Sequence, residues 1–194
     1  SHVIVSTAYL GRFAADHNAN VTVISSSIDT DRFRPRRHSS ARDGLTIGWT
    51  GSHSTVAYLN VIAPALRELS RRFSVRLLVV GATSFTIEGV DVNARPWSLE
   101  RETADLSEMD IGVYPLPDEE WVLGKTGLKA LQYMSVGVPV VASGLGTARE
   151  FIRDGENGLL ADLHSPATLA SRGEEAVEKG PYFGPVHVRA RRTI

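Results

Sequence analysis

Val75-Arg76-Leu77-Leu78-Val79-Val80-Gly81 is a nearly continuous apolar run closed by a glycine. A strand with one wet face alternates apolar and polar residues. A strand covered on both faces need not, so this run is read as a central strand of a parallel sheet. Upstream, residues 45–49 read as a strand ending at Gly51-Ser52. A helix begins near Ser54, and its apolar positions Val56, Leu59, Ile62, Leu66, Leu69 and Phe73 keep helical spacing. Downstream, strands are expected at 90–94, 111–114 and 138–142, with a last edge strand at Leu159-Leu160. Helices are expected at 99–106, 125–136, 147–153 and 166–178. This alternation predicts an α/β fold with a Rossmann-like parallel sheet and helices on both faces. A shorter strand-helix-strand series at 3–5, 9–16 and 21–24 precedes it. Between the two series, residues 25–44 are polar, arginine-rich and interrupted by Pro35, which reads as a linker.

The length of 194 residues suits one α/β domain or one domain with a fragment of another, and 42% hydrophobic residues are enough for a real core. The formal net charge of −1 excludes a broad electrostatic footprint for nucleic acid. The cluster Arg32, Arg34, Arg36, Arg37 and His38 reads as solvated linker. The absence of cysteine excludes disulfides, thiolate zinc sites and cysteine nucleophiles. Histidines 2, 17, 38, 53, 164 and 187 show no metal spacing. No apolar run approaches the roughly 18 residues of a membrane helix, and no basic-then-apolar export pattern opens the sequence. The expectation is a soluble cytoplasmic protein without an integral membrane segment. The abrupt start on Val3-Ile4-Val5 suggests a piece of a longer chain.

Three loops combine glycines, hydroxyls and a following helix, the elements of an anion site at the carboxyl ends of parallel strands. The first runs through Gly51, Ser52, Ser54 and Thr55, where the hydroxyls could equally just cap the helix. The second is Gly124-Lys125-Thr126-Gly127. It lacks the earlier glycine of a P-loop, because position 119 is Glu, so an NTPase reading is rejected. On the expected helix 125–136, Lys125, Lys129 and Gln132 share one face. Lys125 would then sit at a helix N-terminus, where the macrodipole disfavours a cation unless a phosphate is bound. The third loop is Ser143-Gly144-Leu145-Gly146-Thr147, ahead of a helix containing Glu150. A dehydrogenase is disfavoured, since no Gly-x-Gly-x-x-Gly follows the first strand of the longer series and no acidic residue ends Val75–Val80.

The stretch Gly127-Leu128-Lys129-Ala130-Leu131-Gln132-Tyr133-Met134-Ser135-Val136-Gly137-Val138-Pro139-Val140-Val141-Ala142-Ser143 resembles the donor-site signature of family 4 glycosyltransferases. So do Arg149-Glu150-Phe151-Ile152 and Asp154-Gly155-Glu156-Asn157-Gly158-Leu159-Leu160. The resemblance implies the C-terminal half of a GT-B fold plus a remnant of the N-terminal domain. Residues 1–27 would be the tail of the acceptor-side domain, 28–44 the linker, 45–179 the nucleotide-sugar-binding domain and 180–194 a C-terminal tail. It implies a retaining transfer from a nucleotide-diphosphate sugar without a metal or other cofactor, and a fragment inactive alone. The missing N-terminal domain is the implied partner, and a lipid acceptor would place the protein peripherally at a membrane. Two glutamates common in the family fall here at Gly124 and Gln132. The resemblance then leaves Lys125 to hold the diphosphate with the Gly51-Ser52 amides, Gly144 to Thr147 to line it, and Gln132 for the ribose. Arg95 and Trp97 would lie near the base. The alternatives are a nucleotide-sugar epimerase of the same architecture and a non-catalytic nucleotide-sugar-binding module.

Overall fold

The computed structural model describes residues 1–35, 44–162 and 166–179. The strands are β1 (Val3–Val5), β2 (Val21–Val23), β3 (Leu45–Thr50), β4 (Val75–Val80), β5 (Asp91–Arg95), β6 (Ile111–Tyr114), β7 (Val140–Ser143) and β8 (Leu159–Ala161). The helices are α1 (Ala8–Ala15), α2 (Leu59–Arg72), α3 (Glu102–Ser107), α4 (Leu128–Ser135), α5 (Ala148–Phe151) and α6 (Pro166–Lys179). A six-stranded sheet has the order β5-β4-β3-β6-β7-β8, and β1 and β2 form a separate pair. Every pairing is parallel.

β4 shows why the run at 75–80 is apolar throughout. Leu77 and Val79 pack into the core on the side of α2, while Leu78 and Val80 pack with Tyr133, Met134 and Ala130 of α4 on the other. Both faces are covered, so neither set of alternating side chains meets water.

On the α4 face the sheet is lined by glycines where other strands carry side chains. A Cβ at Gly112 would lie 2.5 Å from the Tyr133 ring. Tyr133 is therefore able to lie flat on β6, fully buried, with its hydroxyl accepting the Thr50 N–H at 2.8 Å. That N–H stands at the end of β3, past the last β6 pairing at Gly48, and would otherwise be an orphaned buried donor.

Three expectations are corrected. The helix expected to begin near Ser54 starts as a 3-10 turn at Val56–Tyr58, and α2 proper begins at Leu59. Residues 125–127 do not belong to α4, because Gly127 adopts φ +72 and breaks the helix ahead of Leu128. Part of the linker is packed: Phe33 is buried in the α4-side core, with Ile28 against the same cluster. Arg32 and Arg34 are ion-paired with Glu102 and Asp31, and the rest of that basic cluster and the 180–194 tail lie outside the described residues. No described helix is long and apolar enough to cross a membrane.

Tyr133→Phe keeps the ring but leaves the Thr50 N–H without its acceptor. The expected cost is about 1–3 kcal/mol, read as a lowered denaturation midpoint with an unchanged denaturant slope.

Candidate functional site

The chain runs outward from β3 through β4 to β5, then returns to place β6 on the opposite side of β3. Loops leaving the carboxyl ends of strands diverge at such a reversal and open a crevice. Here it is a cavity of about 460 Å³. Thr50, Gly51, Ser52 and Thr55 wall it at the end of β3, and Tyr114, Pro115 and Leu116 at the end of β6. Lys125, Thr126, Leu128, Lys129 and Gln132 form the α4 side, and Trp97 and Glu102 close the end beyond β5; Trp49 and Tyr58 complete the lining.

Two cations face this space. Lys125 Nζ lies 5.0 Å from the centroid of the Trp121 ring, and Lys129 Nζ lies 5.1 Å from that of Trp49. Neither forms an ion pair with a carboxylate among the described residues. Burial, with the Lys125 charge beside it, lowers the Lys129 pKa from 10.5 to about 8. Two like charges in a partly desolvated recess are mutually unfavourable until an anion arrives.

Lys125 is not at the head of α4. It follows a 3-10 turn over Glu120–Gly124 in extended conformation, so the expected conflict with the helix dipole does not arise. Its backbone is held from outside, since Thr147 Oγ1 donates to the Lys125 carbonyl at 2.7 Å. Gly146 packs against Val122 and Leu123 of that turn, and a Cβ at Gly127 would lie 2.7 Å from the Phe151 ring. The third glycine loop thus buttresses Lys125, and neither Gly144, Gly146 nor Thr147 lines the cavity.

The first loop also differs in detail. The Gly51 N–H is taken by the Val80 carbonyl, and the Ser52 N–H by Thr55 Oγ1. What this turn presents is a set of hydroxyls, Ser52 with Ser54 at 2.9 Å and with Thr55 at 3.2 Å, rather than two open amides. Of the residues singled out from sequence, Gly51, Ser52, Thr55, Trp97, Lys125, Thr126 and Gln132 converge on the cavity. Ser54, Gly124 and Gly127 do not line it, and Arg95 is ion-paired with Glu108 and with Asp105 of α3.

Two residues that face the cavity escaped the sequence reading. The spacing puts Lys129 on one face with Lys125 and Gln132 but does not say that this face looks into a cavity. Glu102 accepts from Gln132 Nε2 and Trp97 Nε1, both at 3.1 Å, and from Arg32 Nη2 at 2.7 Å. Nothing in the polar run Ser98-Leu99-Glu100-Arg101-Glu102 sets that glutamate apart.

A six-stranded parallel sheet with this strand order and a cationic cavity at its reversal defines a Rossmann-like domain of the kind found in GT-B proteins. The family model described as glycosyl transferases group 1 matches residues 44–179, and the chain belongs to that family. D-inositol 3-phosphate glycosyltransferase of Acidothermus cellulolyticus is 28% identical over 178 residues, covering 77% of this chain and 39% of that protein. The chain thus spans about 40% of the length of the curated relatives it matches along most of its own. HepE of Anabaena, in complex with UDP and glucose, superposes with a TM-score of 0.71 at 17% identity, over 92% of this chain and 54% of that one. The C-terminal domain of LpcC, a glycosyl transferase group 1 family protein from Francisella tularensis, gives 0.59 at 18% identity, over 78% of this chain and 88% of that one.

Lys129→Met should stabilise the protein at neutral pH. The folded pKa of about 8 lies below the unfolded value, so the unfolded chain binds more protons between about 8 and 10.5. The burial penalty is therefore full below pH 8 and fades as pH rises through that window. A gain of order 1–3 kcal/mol at pH 7, vanishing by about pH 10.5, is expected in chemical denaturation.

Proposed function

We propose that the chain is the donor-binding half of a retaining family 4 glycosyltransferase, which transfers a sugar from a nucleotide-diphosphate sugar. The observation that carries this reading is the Lys125–Lys129 pair, facing the switch-point cavity with no carboxylate among the described residues paired with either. As the bond from the anomeric carbon to the diphosphate breaks, negative charge gathers on the departing oxygen. Cations already in place stabilise that charge without reorganising at the moment of reaction. The hydroxyls of Ser52 and Thr55 add hydrogen bonds to the phosphates, so the leaving group is held by protein side chains rather than by a metal. The exposed Trp97 ring offers a face to the base, and Gln132 reaches the ribose. Residues 45–179 form the donor domain in this reading, with 1–27 belonging to the acceptor-side domain and 28–44 joining them. The acceptor and the remaining catalytic groups belong to that other domain, which leaves this chain able to bind donor but not to transfer it.

Calorimetric titration with UDP tests the reading. Lys125→Ala should weaken binding by about ten- to a hundredfold, the loss of one charge-assisted contact. Because the anion prefers protonated Lys129, affinity should fall as pH rises from 7 to 9 in the parent and stay flat in Lys129→Met. Equal affinities for Lys125→Ala and the parent would return Lys125 to a solvated surface and remove it from the diphosphate site. Product analysis with the whole protein distinguishes the chemistry: a glycosylated acceptor supports transfer, and free sugar isomers identify an epimerase.

A further inference from the structure

Glu102 presents an anomaly within an anion-binding recess. Its carboxylate lines the same cavity as Lys125 and Lys129, with its side chain 13% exposed, yet it pairs with neither lysine. It is instead held in place by Arg32, which bonds Glu102 Oε2 at 2.7 Å and the Leu99 carbonyl at 2.9 Å. Its other oxygen takes Gln132 Nε2 and Trp97 Nε1. A fixed carboxylate would repel any phosphate placed against it, so the part of an anionic ligand that it accommodates is an uncharged hydrogen-bond donor.

Its position says which donor. Gln132 is three residues beyond Lys129 on α4, a rise of about 4.5 Å. Glu102 Oε1 accepts from both Gln132 and Trp97, so the carboxylate links the helix that carries Lys129 to the exposed indole. A nucleoside diphosphate has phosphates at one end, an aromatic base at the other and a vicinal diol between them. We infer that Glu102 is a specificity-determining residue that accepts hydrogen bonds from the ribose diol, with the Gln132 amide beside it and Arg32 as its positioning residue. The inference rests on the nucleotide-sugar reading above.

The test compares UDP with 2′-deoxy-UDP, 3′-deoxy-UDP and inorganic pyrophosphate, titrated into the 194-residue chain and its Glu102→Gln variant. The parent should favour UDP over a deoxy form by about tenfold or more, the worth of a hydrogen bond to a charged group. Glu102→Gln should bring UDP to within about threefold of the deoxy forms while pyrophosphate affinity stays at the parent value. Retained preference for UDP in Glu102→Gln overturns the inference and leaves the nucleotide reading standing. Loss of pyrophosphate affinity along with the preference would make Glu102 a structural support and also overturn it. If the parent binds neither UDP nor pyrophosphate, the nucleotide reading itself fails.

Discussion

The hydrogen bond from the Thr50 N–H to the Tyr133 hydroxyl is the constraint from which the rest of the site follows. It joins the carboxyl end of the central strand to the middle of α4, and it does so inside a fully buried contact. Burial raises the Tyr133 pKa well above its usual value, so the phenol stays neutral at any ordinary pH and the bond is not switched by protons. With Tyr133 fixed, Lys129 and Gln132 have little freedom. One lies four residues before it and the other immediately before it, and both project into the space that the strand reversal opens. Glycines at 48 and 112 make this geometry possible, because Met109 and the Tyr133 ring occupy the volume that a Cβ would need.

Much of this was legible in the chain, and the exceptions have physical causes. The strands announce themselves because β4 is buried on both faces and carries no polar interruption beyond Arg76 at its start. Lys129 and Gln132 could be placed on one helix because their spacing is helical, whereas Lys125 lies ahead of it. The start of that helix could not, since Gly-Lys-Thr-Gly is tolerated at a helix head and nothing in the letters reveals a left-handed Gly127. Periodicity also cannot say whether a polar face looks onto water or onto a recess, so the face shared by Lys129 and Gln132 did not by itself reveal the cavity. Phe33 lies alone in an arginine-rich stretch, and a single aromatic has no period to betray its burial. Glu102 is recognisable only through three partners that are distant in sequence.

The segment at 1–35 is in contact with the cavity's walls at two places. Tyr9 donates to Glu120 at 2.7 Å on the turn that carries Lys125, while Arg32 pairs with Glu102 at the far end. The Tyr9 contact is exposed and the Arg32 side chain partly so, which limits what either can contribute to stability. Their effect is on geometry: they set the aspect that the cavity presents to whatever lies across from it.

The strand reversal has one more consequence, in chain statistics. Had β6 continued the sheet beyond β5, it would have closed a loop of about 20 residues, from Asp91 to Ile111; pairing with β3 instead closes one of about 64, from Ile47 to Ile111. Loop-closure entropy grows only with the logarithm of length, so the difference is about 1 kcal/mol. That is the size of one net hydrogen bond. A crevice wide enough to admit a ligand therefore costs the fold almost nothing, and an α/β sheet can carry a site at its centre without weakening the strands that frame it.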